Sequence, residues 1–262
     1  MEISKNQPER IAKQIFTEML PILTDALEEN RYKRAVVSVC GASGTDTAET
    51  AAIVAAMMRH AGVSTNVIRG DHYRHRITVY NDAERRMVFR TEGMRELLVR
   101  GVYTDPLRDE LAELMKTGAD ADASLTEAYP WLTAYHIGGD CGLRSYLGTH
   151  REVDFHELSD IIMRFKNGAE EVFLKRMGAE EASVRYETRN CRPVKVFIIE
   201  GTQSNNDHLR GVDIPVLIWG KPDTPPENPF TARIQALENE LLISQAHKAK
   251  LVIGEPPLGT CL

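Results

Sequence analysis

The run RAVVSVCG, residues 34–41, places the strongest constraint on how this chain can fold. Its β-branched and apolar residues stand on consecutive positions, the pattern of a strand covered on both faces in a parallel sheet. A short polar turn follows, and then TAETAAIVAAMMRHAG, which has the helical period. That helix is expected over about 47–60, with Gly62 just past its last periodic residues as the stop signal. VSTNVIRGD then supplies a second strand, so the chain contains a strand, helix, strand unit with a loop at the first crossing.

A loop in that setting is where a phosphate-binding pattern, GxxxxGK[ST], belongs. Such loops work because successive backbone N–H groups and a helix N-terminus surround an anion, while lysine neutralises the outer phosphates and a hydroxyl holds magnesium. Gly41, Ala42, Ser43, Gly44 and Thr45 begin as the pattern does, and Gly41, Ser43 and Gly44 retain its backbone part. Asp46, Thr47 and Ala48 then stand where glycine, lysine and serine or threonine are required. The cation and the metal-binding hydroxyl are absent together. A glycine- and serine-rich turn between strand and helix also occurs without any phosphate, so the loop by itself leaves both readings open.

The rest of the chain repeats the α/β theme around an interruption. Residues 8–30 carry apolar positions at Ile11, Ile15, Met19, Ile22, Leu23 and Leu27, which makes a leading amphipathic helix with Pro21 as an expected kink or break. Residues 82–180 are polar and helix-rich, an insertion of helical segments each closing on a glycine. EVFLKRM and SVRYETR are expected to pair as a hairpin or flap. Strand signals return in VKVFIIEG and DIPVLIWG, followed by a helix, PFTARIQALENELLISQAHK, and a last strand, AKLVIG. Five strands fit a mostly parallel α/β sheet in one domain over residues 1–262.

Composition limits the functions available to that domain. A net charge of −6 in 262 residues argues against a generally basic nucleic-acid surface. No run approaches the ~20 apolar residues of a membrane span, and the polar start MEISKNQPERIAKQ has no export signal, so a cytoplasmic protein is expected. Cys40, Cys141, Cys191 and Cys261 are far apart without metal-ligand spacing, which points to reduced, structural thiols. His72 and His75 share an i,i+3 spacing that polar loops also produce.

Two carboxylates follow strand ends, where a parallel sheet lines its ligand crevice. Asp71, in IRGDHYRHR, could accept a proton from a substrate hydroxyl with Arg74 or Arg76 adding positive charge, or could cap a turn. Glu200, closing VFIIEG, could hold magnesium or its water, or could be a hydrogen-bonded structural carboxylate.

The order VVSVCGASG, GDHY, VDFHELSDIIMRFKNGAEEV, RYETR, VFIIEG resembles the uridine kinase and phosphoribulokinase group of P-loop kinases, over roughly residues 34–80 and 152–220. The resemblance implies a P-loop three-layer fold, ATP and Mg2+ as cofactors, and a small hydroxylated phosphate acceptor. It assigns Asp71 as catalytic base with Tyr73 beside it, and Glu200 with Gly201 as the magnesium-side acid. Tyr73, Arg76, Tyr186 and Arg189 become the substrate contacts. The departures are the degenerate loop at 46–48 and a lid segment, KPDTPPENPFTAR, with only Lys221 and Arg233 near it. The expectation is therefore a γ-phosphate transferring kinase, or a pseudokinase that keeps the fold to bind an anion or a partner. A variant of the first borrows cations from Lys248 and Lys250 or from Arg74 and Arg76. Partners are expected to be nucleotide and acceptor, with neither nucleic acid nor membrane, and a homo-oligomer is allowed.

Overall fold

The computed structural model describes residues 7–42, 45–220 and 225–254. Along the chain, α1 (Gln7–Glu29) precedes β1 (Ala35–Gly41), α2 (Thr47–His60) and β2 (Thr65–Arg69). Four helices follow, α3 (Thr78–Val99), α4 (Asp105–Thr117), α5 (Leu132–Arg144) and α6 (Phe155–Lys166), and then an antiparallel hairpin of β3 (Glu171–Arg176) and β4 (Arg185–Asn190). The main sheet resumes with β5 (Val196–Glu200) and β6 (Ile214–Ile218), then α7 (Pro229–Gln245) and β7 (Leu251–Ile253).

The sheet is five-stranded and parallel, in the order β2-β5-β1-β6-β7. All seven residues of β1 are buried because it is the central strand with a layer on each face. Successive strand side chains point to opposite faces, and the two cores divide accordingly. Val37 and Val39 pack with Ile15, Met19, Val54 and Met58 of α1 and α2. Val36, Phe197 and Ile199 pack with Leu158, Ile162 and Phe165 of α6, where the Phe165 and Phe197 rings stack at 3.8 Å between centroids. Each such buried side chain contributes about 1.5–3 kcal/mol, so the sheet is held rigidly from both sides. The α/β class and the helix over 47–60 are as the sequence implies.

Pro21 does not break α1. The helix runs through it, because Pro21 lies on the exposed face. A carbonyl deprived of its helical partner there is solvated by water rather than buried.

The insertion forms a third core. Phe89 of α3, Leu132 and Tyr135 of α5, and Phe230 and Ile234 of α7 pack together. The α3 and α5 backbones approach so closely that a Cβ on Gly139 would lie 2.3 Å from the Phe89 ring. Among the described residues no helix is long and apolar enough to cross a membrane.

Candidate functional site

Asp71 and Glu200 come to one place because β2 and β5 are neighbours in register. Arg69 sits beside Glu200, the last pair of that ladder. Beyond it the chains turn against each other, and a Cβ on Gly70 would lie 2.9 Å from the Glu200 carbonyl oxygen. The close approach demands glycine at 70. It starts a 3-10 turn, Gly70–Tyr73, that carries Asp71 out over the strand ends.

These ends open into a cavity of about 600 Å³. One wall is the sheet edge, with Thr45, Asp46, Thr47, Ala48, Arg69, Asp71, Arg74, Glu200 and Thr202. The opposite wall is helical, with Thr78, Asp82 and Arg86 of α3 facing Phe230, Thr231, Gln235 and Glu238 of α7. Such a volume accommodates a small organic ligand.

At the sheet wall, Glu200 is 4 % exposed. Arg69 Nε lies 3.4 Å from its Oε1, and the Thr47 hydroxyl donates to its Oε2 at 3.4 Å. Burial, followed by the charge of Asp71, raises its pKa above the usual carboxylate range, while Arg69 and Thr47 oppose the shift. Asp71 is half-exposed and pairs with Arg74 Nη2 at 3.0 Å.

The described part of the loop is Gly41, Ala42 and residues 45–48. Thr45 turns back to the Ala42 carbonyl through both its N–H, at 3.1 Å, and its hydroxyl, at 2.7 Å. A Cβ on Gly41 would meet the Thr45 hydroxyl at 2.5 Å. Asp46 holds φ 43° and ψ 35°, the left-handed conformation that favours glycine, at the position where the pattern has glycine. Its carboxylate caps nothing, so the residue takes a glycine's shape without a glycine's ease. Ser43 and Gly44 lie outside the described residues.

The helical wall is fixed by buried charge. Arg85 of α3 reaches Glu152 at 2.5 Å and Glu238 of α7 at 2.9 Å, all three essentially buried. The two carboxylates raise the Arg85 pKa against its burial. Glu152 also accepts from the Gly148 N–H at 2.8 Å. Arg86 stands over the Phe230 ring at 5.1 Å.

The other expected contacts lie elsewhere. Tyr73 is fully buried, its hydroxyl accepting from the Lys175 N–H at 3.3 Å, because the turn that sends Asp71 outward sends Tyr73 into the α6 core. Arg76 faces a separate cavity of about 550 Å³ and pairs with Glu84 at 3.7 Å. Tyr186 and Arg189 are on β4, away from the strand ends. Of the cations considered for borrowing, Arg74 lines the cavity, whereas Lys248 pairs with Asp207 at 2.5 Å and Lys250 is on no wall of it. Arg233 is tied to Asp140 at 2.7 Å, and Lys221 lies outside the described residues.

The sequence analysis passed over Arg69 and the helical wall. The signal for the first was a charged residue ending a strand directly before Gly70 and Asp71. For the second it was polar residues at helical spacing, 78, 82 and 86 on α3 and 231, 235 and 238 on α7, with Asn228 as the α7 N-cap.

Two carboxylates and a hydroxyl supply the hard oxygen donors that Mg2+ takes, and Mg2+ is ordinarily held by one or two carboxylates together with phosphate oxygens. The residues present therefore fit that ion. Glu200, desolvated beside a like charge, and the buried hydroxyl of Thr202, which has no hydrogen-bond partner among the described residues, are the groups it would relieve.

Fold and site together define an α/β protein in which the amino end of α2 and two carboxylates at the strand ends line one cavity. No family model matches the chain. It is 26% identical over 238 residues to the bifunctional alpha-galactosidase/sucrose kinase AgaSK of Mediterraneibacter gnavus. That match covers 86% of this chain and 20% of AgaSK, so the chain spans about one fifth of the relative's length. Among solved structures, a possible uridine kinase from Bacillus stearothermophilus gives a TM-score of 0.45 at 14% identity, over 90% of this chain and 100% of that one. A candidate fructose transport system kinase from Silicibacter sp. TM1040 gives 0.43 at 13% identity, over 88% and 82%. The similarity to AgaSK covers most of this chain, while its α/β class rests on the sheet itself.

Proposed function

We propose that this chain transfers the γ-phosphate of a nucleoside triphosphate to a hydroxyl of a small polyhydroxylated molecule, a sugar in the first instance. The observation that carries this is the single cavity shared by Asp71, Glu200 and the amino end of α2. The sugar preference draws on AgaSK, whose name includes a sucrose kinase. It also draws on the helical wall, where Asp82, Thr231 and Gln235 offer hydroxyl partners and Phe230 an apolar face.

In this mechanism the acceptor hydroxyl gives its proton to Asp71 as its oxygen attacks the γ-phosphorus. The bond between that phosphorus and the β,γ-bridging oxygen breaks, and the electron pair leaves on the diphosphate. The amino end of α2 and the Thr47 hydroxyl meet the phosphates, where the helix dipole favours negative charge. Glu200 would hold Mg2+, which supplies charge neutralisation on the phosphates when bound. The helical wall orients the acceptor and narrows access for water.

A second reading, a non-catalytic anion or partner binder, is favoured by Asp46 and Thr47 in place of glycine and lysine. Incubation with MgATP and, separately, sucrose, fructose, uridine or glycerol, followed by phosphorus NMR, separates the two. A sugar phosphate with matching ADP is expected. Nucleotide binding without transfer to any acceptor would favour the second reading.

A further inference from the structure

We infer that Arg69 replaces the missing phosphate-loop lysine, bringing its guanidinium to the outer phosphates from the end of β2 rather than from the start of α2. The inference rests on the kinase reading of the cavity and adds a residue to it.

Four arginines line the cavity among the described residues, and their partners differ. Arg85 is locked between two buried glutamates, its side chain 7% exposed. Arg74 is 14% exposed and 3.0 Å from Asp71. Arg86 stands on the helical wall over Phe230. Arg69 is 57% exposed and, among the described residues, forms its ion pair with Glu200 alone, through Nε at 3.4 Å, which leaves both terminal nitrogens available to a ligand.

Its position matches the vacant role. The Thr47 hydroxyl is also 3.4 Å from Glu200, on the other carboxylate oxygen. A lysine at 47 would thus share this carboxylate as counter-ion, and Arg69 holds that place from the opposite side. Arginine presents a planar fork suited to phosphate oxygens, so moving the cation to a neighbouring strand changes its origin while keeping its charge at the same carboxylate. Rigid register fixes the origin, since Arg69 and Glu200 are paired residues of adjacent strands.

The test is calorimetric titration of MgATP and of AMP into wild type, Arg69→Ala, and Arg69→Ala combined with Thr47→Lys. Loss of one charge-assisted contact should weaken MgATP about tenfold to a hundredfold. AMP, which lacks the outer phosphates, should change less than about twofold, and the added lysine should restore MgATP binding. Equal weakening of MgATP and AMP, or unchanged MgATP affinity in Arg69→Ala, would overturn the role of Arg69 while leaving the nucleotide site standing. Failure of lysine to rescue would likewise count against interchange of the two cations. If neither the wild type nor a rebuilt loop (Asp46→Gly, Thr47→Lys, Ala48→Thr) binds MgATP, the kinase reading itself fails and Arg69 with it.

Discussion

The two walls of the cavity use charge in opposite ways. On the helical wall, Arg85 is enclosed by Glu152 and Glu238 at 2.5 and 2.9 Å, and no member of the triad is free for a ligand. On the sheet wall, the half-exposed Asp71 pairs with Arg74 at 3.0 Å and the buried Glu200 with the half-exposed Arg69 at 3.4 Å, so each pair has one member in solvent. A buried triad contributes position, because removing one partner is costly. A pair with one member in solvent is screened and leaves that member within reach of a ligand. The first wall therefore reads as scaffold and the second as working surface.

The largest effect that would break this contrast is on stability. Arg85→Ala leaves two buried carboxylates facing each other without a counter-charge and should cost about 3–5 kcal/mol in urea unfolding. A cost under about 1 kcal/mol would mean that the helical wall does not depend on the triad.

Next in size is an effect on chemistry alone. Asp71→Asn should lower turnover roughly 100-fold or more while leaving the unfolding midpoint close to wild type. Unchanged turnover would remove Asp71 as the base and leave the sheet wall a binding surface only.

Legibility differed between the walls for a physical reason. The sheet wall consists of strand ends, and GDHY and VFIIEG announce such ends by an apolar run stopping at glycine and a carboxylate. Tyr73, expected as a substrate contact, sits in the core, because sequence order does not tell which way a 3-10 turn rotates successive side chains. The helical wall depends on how α3 and α7 pack across 150 residues of chain, and their polar stripes look like any solvated helix face until that packing is known. Arg85 showed nothing in the sequence to separate it from Arg86. At the loop, Asp46 stands where the pattern has glycine and holds the left-handed backbone that favours glycine.

Smaller effects sharpen the sheet wall. Asp46→Gly relieves the left-handed strain and should raise stability by up to about 1 kcal/mol, read from the urea midpoint. A loss would indicate that the Asp46 carboxylate has a stabilising partner.

Glu200→Gln should alter the pH dependence of stability. The folded-state pKa of Glu200 is raised, so its favourable contribution is complete below the unfolded value and is lost as pH rises through the folded value. Thermal melts of the wild type should fall relative to Glu200→Gln as pH climbs through and above the carboxylate range. Parallel melting curves across that range would mean that Glu200 is not held above its ordinary value.

The central claim is that nucleotide phosphates and acceptor meet between these walls, and a crystal structure with Mg2+, a non-hydrolysable ATP analogue and sucrose tests it most directly. The outer phosphates should lie between the amino end of α2 and the Arg69 guanidinium, with one acceptor hydroxyl about 3 Å from the Asp71 carboxylate. Nucleotide bound outside this cavity, or an acceptor with no hydroxyl near Asp71, would contradict it.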